Sequence, residues 1–207
     1  MELLKISLLT IFKPSEAFIQ LKKNRKNFDI ISPLIILVLL ILVRVFEIYF
    51  THYPLTQIEP RQTSILREFF KSIIPVLTWI VSCYAITTIS EGETLISEQF
   101  SSTIYCLIPY IILTIPIVFF SHILSIYDIS WFNFLQAIKW LWVVILIIYS
   151  TKTLNNFTIG KTILVCILSI IAAILIWLLI GLFYVLTIQV VNFIDELIKE
   201  IRLLRIR

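Results

Sequence analysis

The sequence predicts an all-α, polytopic membrane protein of about five transmembrane helices, with amphipathic helical segments at both ends. Three observations carry this. Of 207 residues, 59% are hydrophobic and 14% charged, whereas soluble domains hold roughly a quarter charged residues. Mean hydropathy is +1.00. The apolar residues also fall in blocks long enough to cross a bilayer, about 20 residues each. A water-soluble globule is excluded. Seventeen basic residues against 13 acidic give only +4, and they gather near the termini rather than in a stripe. The lipid bilayer and partner loops are therefore the expected counterparts, and nucleic acid is not.

Residues 1–28 read as an interfacial segment. Leu3, Leu4, Leu8, Ile11 and Phe12 can share one helical face, and Lys22, Lys23, Arg25 and Lys26 follow as a basic cluster. The apolar run halts at Lys13-Pro14, too short to span and without a small-residue cleavage site, so a signal peptide is not expected. A frayed terminus is the alternative.

A transmembrane domain over residues 29–194 comes next. Its first span, about 33–50, opens at Pro33, where a missing N–H costs nothing. A polar loop carrying Pro54 and Pro60 leads to a second span, about 70–89, which ends at Ser90-Glu91-Gly92-Glu93. The third, about 102–125, carries Pro109 and Pro116 seven residues apart on nearly one side, which predicts two bends or interruptions; kinked and re-entrant forms both fit. The fourth, about 131–149, starts among Trp131, Trp140 and Trp142, an aromatic belt beside which Lys139 reads as a snorkelling anchor.

The last apolar run, 163–194, would measure about 48 Å as one helix, too long for a ~30 Å core and short for two spans with a turn. One long helix is expected, spanning at about 163–190 and ending in a basic amphipathic segment, 191–207. There Ile194, Leu197, Ile198, Ile201 and Leu204 take one face, and Asp195, Lys199, Arg202 and Arg205 the other. Lipid or another helix should cover it. With five spans and a cytoplasmic N-terminus, Lys and Arg nearly tie across the membrane, and the first helix decides for N-terminus inside.

Chemical motifs are sparse. The segment from Asn155 to Thr162 ends like a phosphate-binding loop but lacks the leading glycine and a preceding strand. Ser121, His122 and Asp128 lack a visible base-to-nucleophile geometry. His52 and His122 have no helical-spacing partner, and Cys83, Cys106 and Cys166 read as small buried hydrophobes. No catalytic residue, cofactor or metal is expected. Arg44 and Glu47, spaced i,i+3 inside a span, are the candidate intramembrane charge pair. They either satisfy each other or face a partner subunit or a polar cavity. Glu91, Glu93 and Glu98 form an acidic loop without Lys or Arg, suited either to a basic partner or to the dipole of the following helix.

At this loop a family resemblance begins. Glu91-Gly92-Glu93, then Tyr105-Cys106-Leu107-Ile108-Pro109-Tyr110, then Pro116 and Ser121, resembles the pattern of the Yip1 family: an acidic Gly-containing loop, a Tyr-x-x-x-Pro helix, and a later Pro and Ser. Phe12 to Phe18 resembles the N-terminal Pro-containing segment of bacterial members, and Asp29 to Leu34 the family's segment before span one. The resemblance implies five transmembrane helices, no known catalytic residue, and in bacteria an accessory membrane protein. Some such relatives accompany the permease and ATPase of ABC-type exporters, including ones concerned with antimicrobial-peptide resistance. The expected function is thus an accessory or scaffold protein in a bacterial plasma membrane, not an enzyme, binding other membrane subunits or its own copies. The motif residues are the candidate contacts. A transporter or channel lined by Arg44, Glu47 and the kinked third span is the alternative.

Overall fold

A computed structural model describes residues 7, 9–23, 29–52, 55 and 64–205, the side chains of 197 and 200–205 excepted. Several expectations lie outside these residues: the face at Leu3, Leu4 and Leu8; Arg25 and Lys26 of the basic cluster; Pro54 and Pro60; and the side chains of Leu197, Ile201, Leu204, Arg202 and Arg205.

The described chain is all-α: α1 (Pro14–Lys23), α2 (Ile31–Phe50), α3 (Ile65–Ile89), α4 (Ile96–Cys106), α5 (Ile108–Ser121), a 3₁₀ turn (Ile126–Asp128), α6 (Ile129–Asn155) and α7 (Ile159–Arg205). Five segments are long and apolar enough to cross a membrane, with α4 and α5 counting as one. Alternation places α1, the 90–95 loop and the 156–158 loop at one end of the bundle, here the acidic-loop end. Thr51, His52, Leu55 and residues 122–128 lie at the other, the histidine end.

The N-terminus of α2 is capped by Asp29, whose carboxylate accepts from the Ser32 hydroxyl and from the Ile31 backbone N–H at 3.0 Å. The Ser32 hydroxyl hydrogen bond outweighs desolvation and, joined by those from the Ile31 and Ser32 amides, holds this exposed carboxyl below its usual range. A depressed carboxyl pKa stabilises the fold above its unfolded value and loses that contribution as pH falls through the folded value. Asp29→Ala should therefore lower the thermal midpoint at neutral pH, and the gap to the parent should close on acidification below about pH 4. A gap independent of pH would refute the cap.

The third span departs most from expectation. Its helix starts at Ile96 rather than near 102 and ends at Ser121 rather than near 125. Residues 96–101 read as loop because Ser97, Glu98 and Gln99 are polar, yet Glu98, Gln99, Ser101, Ser102 and Thr103 are buried. Small side chains let neighbouring helices approach closely, which makes this span the centre of the bundle. Glu98 turns back to accept the Leu95 N–H at 2.9 Å and so closes the helix start. Of the two bends or interruptions expected, the first is an interruption. Pro109 cannot donate to the carbonyl four residues back, and the helix breaks at Leu107, whose N–H tightens to Ile104 O at 3.0 Å. Pro116 instead lies within the unbroken helix α5, on its exposed side, between the buried Thr114 and Ile117.

The core packs Phe18 of α1, Leu40 and Val43 of α2, Ile104 and Tyr105 of α4, Tyr110 of α5, and Val143 and Leu146 of α6. Several buried hydroxyls are satisfied within their own helices: Thr78 donates to Ile74 O at 2.8 Å, Thr114 to Tyr110 O at 2.6 Å and Ser169 to Val165 O at 2.8 Å. The long helix α7 packs on α3 and α6 through a stripe of mostly small residues, Thr162, Val165, Cys166, Ser169, Ala172 and Ala173. From Trp177 to Glu196 every residue is exposed.

Candidate functional site

Two clusters join the helices. The first surrounds Glu47, one turn from the histidine end of α2. Its Oε2 accepts from Arg44 Nη1 and from the Tyr110 hydroxyl, both at 2.7 Å. Its Oε1 accepts from Lys139 Nζ at 2.8 Å and Gln136 Nε2 at 3.1 Å. A carboxylate offers about four acceptor directions, so Glu47 is saturated by two cations and two neutral donors from α2, α5 and α6. Lys139 also donates to Thr114 Oγ1 at 3.2 Å and lies 4.2 Å from the centroid of the Tyr110 ring. Arg44 Nε lies 3.9 Å from Glu68, and Glu68 in turn accepts from Lys71 at 3.1 Å. A chain of alternating charge thus runs Lys139, Glu47, Arg44, Glu68, Lys71 across three helices.

This corrects the reading of Lys139 as a snorkelling anchor. Its side chain is 1% exposed and paired inside the bundle. The nearby tryptophans are indeed exposed, whereas Lys139 is buried and turned towards α2 and α5. Arg44 and Glu47 do pair as the i,i+3 spacing suggests, while the partners on other helices were invisible to spacing. The one available signal was the cost of an unpaired charge at membrane depth, which applies to Lys139 as much as to Arg44.

The second cluster builds the acidic loop. Glu91 adopts φ 61°, and Gly92 then passes so close to α6 that an added Cβ would stand 2.3 Å from Asn155 Oδ1 and 2.8 Å from Thr87 O. Asn155 Oδ1 accepts from the Thr94 hydroxyl at 2.7 Å, and its Nδ2 donates to Thr151 O at 3.0 Å. Glu93 receives Lys22 of α1 at 2.8 Å and Asn156 Nδ2 at 3.0 Å. The basic counterpart that this loop invites is therefore met, at Glu93, from within the chain.

The remaining motif residues also hold the bundle together. Tyr105 and Pro109 are buried at the α4–α5 break. Ser121 Oγ donates to Val118 O at 2.6 Å and accepts the His52 N–H at 3.1 Å, tying the chain just beyond α2 to the end of α5. Asp128 turns to Ser125, accepting its hydroxyl at 2.9 Å, so Ser121, His122 and Asp128 do not align as a triad. The His52 and His122 rings do approach, at 5.7 Å between centroids, but no group of three metal-ligating side chains forms among the described residues.

A cleft of about 430 Å³ opens beside the charge chain, lined by Arg44, Glu68, Lys71, Tyr110, Trp79 and Trp140 among others. No curated protein and no solved structure matches the chain. The family model of the Yip1 domain matches residues 8–181, which include both clusters and the packed part of α7. With the match extending over most of its length, and five apolar helices in the fold, the chain belongs to the Yip1 family of multi-pass membrane proteins.

Proposed function

We propose that this protein is a membrane scaffold, not an enzyme, that holds another integral membrane subunit, such as the permease of an ABC-type exporter, against the free half of α7. The observation that carries the reading is the exposure of apolar side chains on every side of that half, including Trp177, Phe183, Tyr184, Leu186 and Phe193. Lipid covers only part of this. The apolar run 163–194 is about 48 Å long, and even a helix tilted by ~40° keeps only about 39 Å inside a ~30 Å core. A second apolar surface is needed for the remainder. The motif residues of the third span serve this function from inside, by fixing the bundle from which α7 projects.

A photoreactive residue placed at Phe183 in native membranes should yield adducts with a distinct integral membrane protein, which mass spectrometry identifies. Polar replacement of Leu182 and Leu186 should diminish that adduct while leaving insertion intact. Adducts with lipid alone would refute the scaffold reading. A conduit is less well supported, because the charges of the Glu47 cluster pair with one another and the cleft beside them turns largely apolar beyond Ser72.

A further inference from the structure

We infer that the cleft beside Arg44 and Lys71 binds one acidic phospholipid from the leaflet at the histidine end, whether or not α7 carries a partner. Its walls are ordered by polarity. Along α3, Glu68, Lys71 and Ser72 come first from that end, then Pro75, Val76 and Trp79. Those eleven steps cover about 16 Å of helix. Arg44 precedes Leu40 on α2, Tyr110 precedes Leu107 where α5 meets α4, and Trp140 precedes Val143 and Ile147 on α6. Charge near the membrane surface and hydrocarbon towards the middle is the profile of a lipid molecule, not of a water-soluble ligand. At about 430 Å³ the cleft falls within the range of small-ligand sites.

Its charge selects the headgroup. Arg44 and Lys71 face the single carboxylate of Glu68, since Glu47 is taken up by Lys139 and Arg44. The lining therefore carries a net positive charge. Arg44 uses Nη1 on Glu47, and its Nε stands beyond hydrogen-bond range of Glu68. Lys71 is 57% exposed and its ammonium carries three donors. A phosphoryl group bridging these two cations makes charge-assisted hydrogen bonds. Deeper in, the cleft is lined by Pro75, Val76 and the Trp79 side chain, a largely apolar wall for acyl chains.

Native mass spectrometry of the full chain in mild detergent, with phosphatidylglycerol or phosphatidylcholine of identical acyl chains, tests this. One phosphatidylglycerol should be retained per chain in preference to phosphatidylcholine. Lys71→Gln should weaken retention about tenfold, the size of one lost charge-assisted contact, and Val76→Trp, which fills the apolar part, should abolish it. Lys71 is exposed, so its variant keeps the test valid should Val76→Trp fail to fold. Equal retention of the two lipids, or an equal loss on Lys152→Gln at the opposite end, would overturn the assignment. Displacement by inorganic phosphate alone would show a free-phosphate site and overturn it as well.

Discussion

Glu47→Gln is expected to cost about 3–5 kcal/mol of stability, the cost of breaking a buried ion pair by removing one partner. The carboxylate stands between Lys139 Nζ at 2.8 Å and Arg44 Nη1 at 2.7 Å, and its loss leaves an almost fully buried ammonium with no anion. Arg44 fares better, since Glu68 remains beside it and its own side chain reaches the cleft. The damage should therefore centre on Lys139. Adding Lys139→Met to Glu47→Gln removes the stranded charge with little change of volume and should restore most of the loss, giving a strongly non-additive cycle. Thermal unfolding in detergent measures both. Additive losses would mean that the two residues act independently and that the charge chain is not what joins α2 to α6. The same cycle bears on conduction: a charge-dependent conduit would lose flux in the restored double variant, whereas a structural cluster would leave partner recovery unaffected.

The fold was largely legible because a bilayer imposes a length on apolar runs, and that length survives in one dimension. The five spans and the long final helix could be read this way, and the family resemblance came separately, from the motif residues between Glu91 and Ser121. What escaped depends on pairing between segments. Lys139 lies among tryptophans, and in a linear reading a lysine there resembles an anchor. Its carboxylate partner is 92 positions away, with no spacing rule to link them. Glu68 falls outside the second span as read, about 70–89, because α3 begins at Ile65, five residues before that apolar stretch. Residues 96–101 were lost to the same averaging: hydropathy scores Glu98 and Gln99 as solvent-facing, while neighbouring helices and the Leu95 N–H accommodate them in the centre of the bundle. Arg44 and Glu47 could be found because both partners sit on one helix, one turn apart.

Gly92→Ala is the second large effect, and it explains why the acidic loop of the family pattern contains a glycine. Most glycines in loops serve a positive φ, but here the left-handed residue is Glu91, and Gly92 has an ordinary backbone. Its requirement is steric. A methyl group would stand 2.3 Å from Asn155 Oδ1 and 2.8 Å from the Thr87 carbonyl, distances that real carbon atoms do not tolerate. Asn155 cannot swing aside freely, because Thr94 and Thr151 hold both ends of its amide. The loop must lift instead, which breaks the Thr94–Asn155 hydrogen bond and draws Glu93 from Lys22 and Asn156. Overpacking of this kind costs about 1–3 kcal/mol, and the loss of a buried hydrogen bond adds about 1 kcal/mol. Asn155→Ala alone should be mildly destabilising, yet combined with Gly92→Ala it should recover part of the loss by removing the nearer obstacle. Recovery should stay incomplete because the Thr87 carbonyl is backbone. Cysteine pairs placed at Lys22 and Glu93 should then cross-link less readily in the Gly92 variant and regain efficiency in the double variant. An undiminished cross-link in Gly92→Ala would show that the loop does not need the close approach to dock α1 onto the bundle.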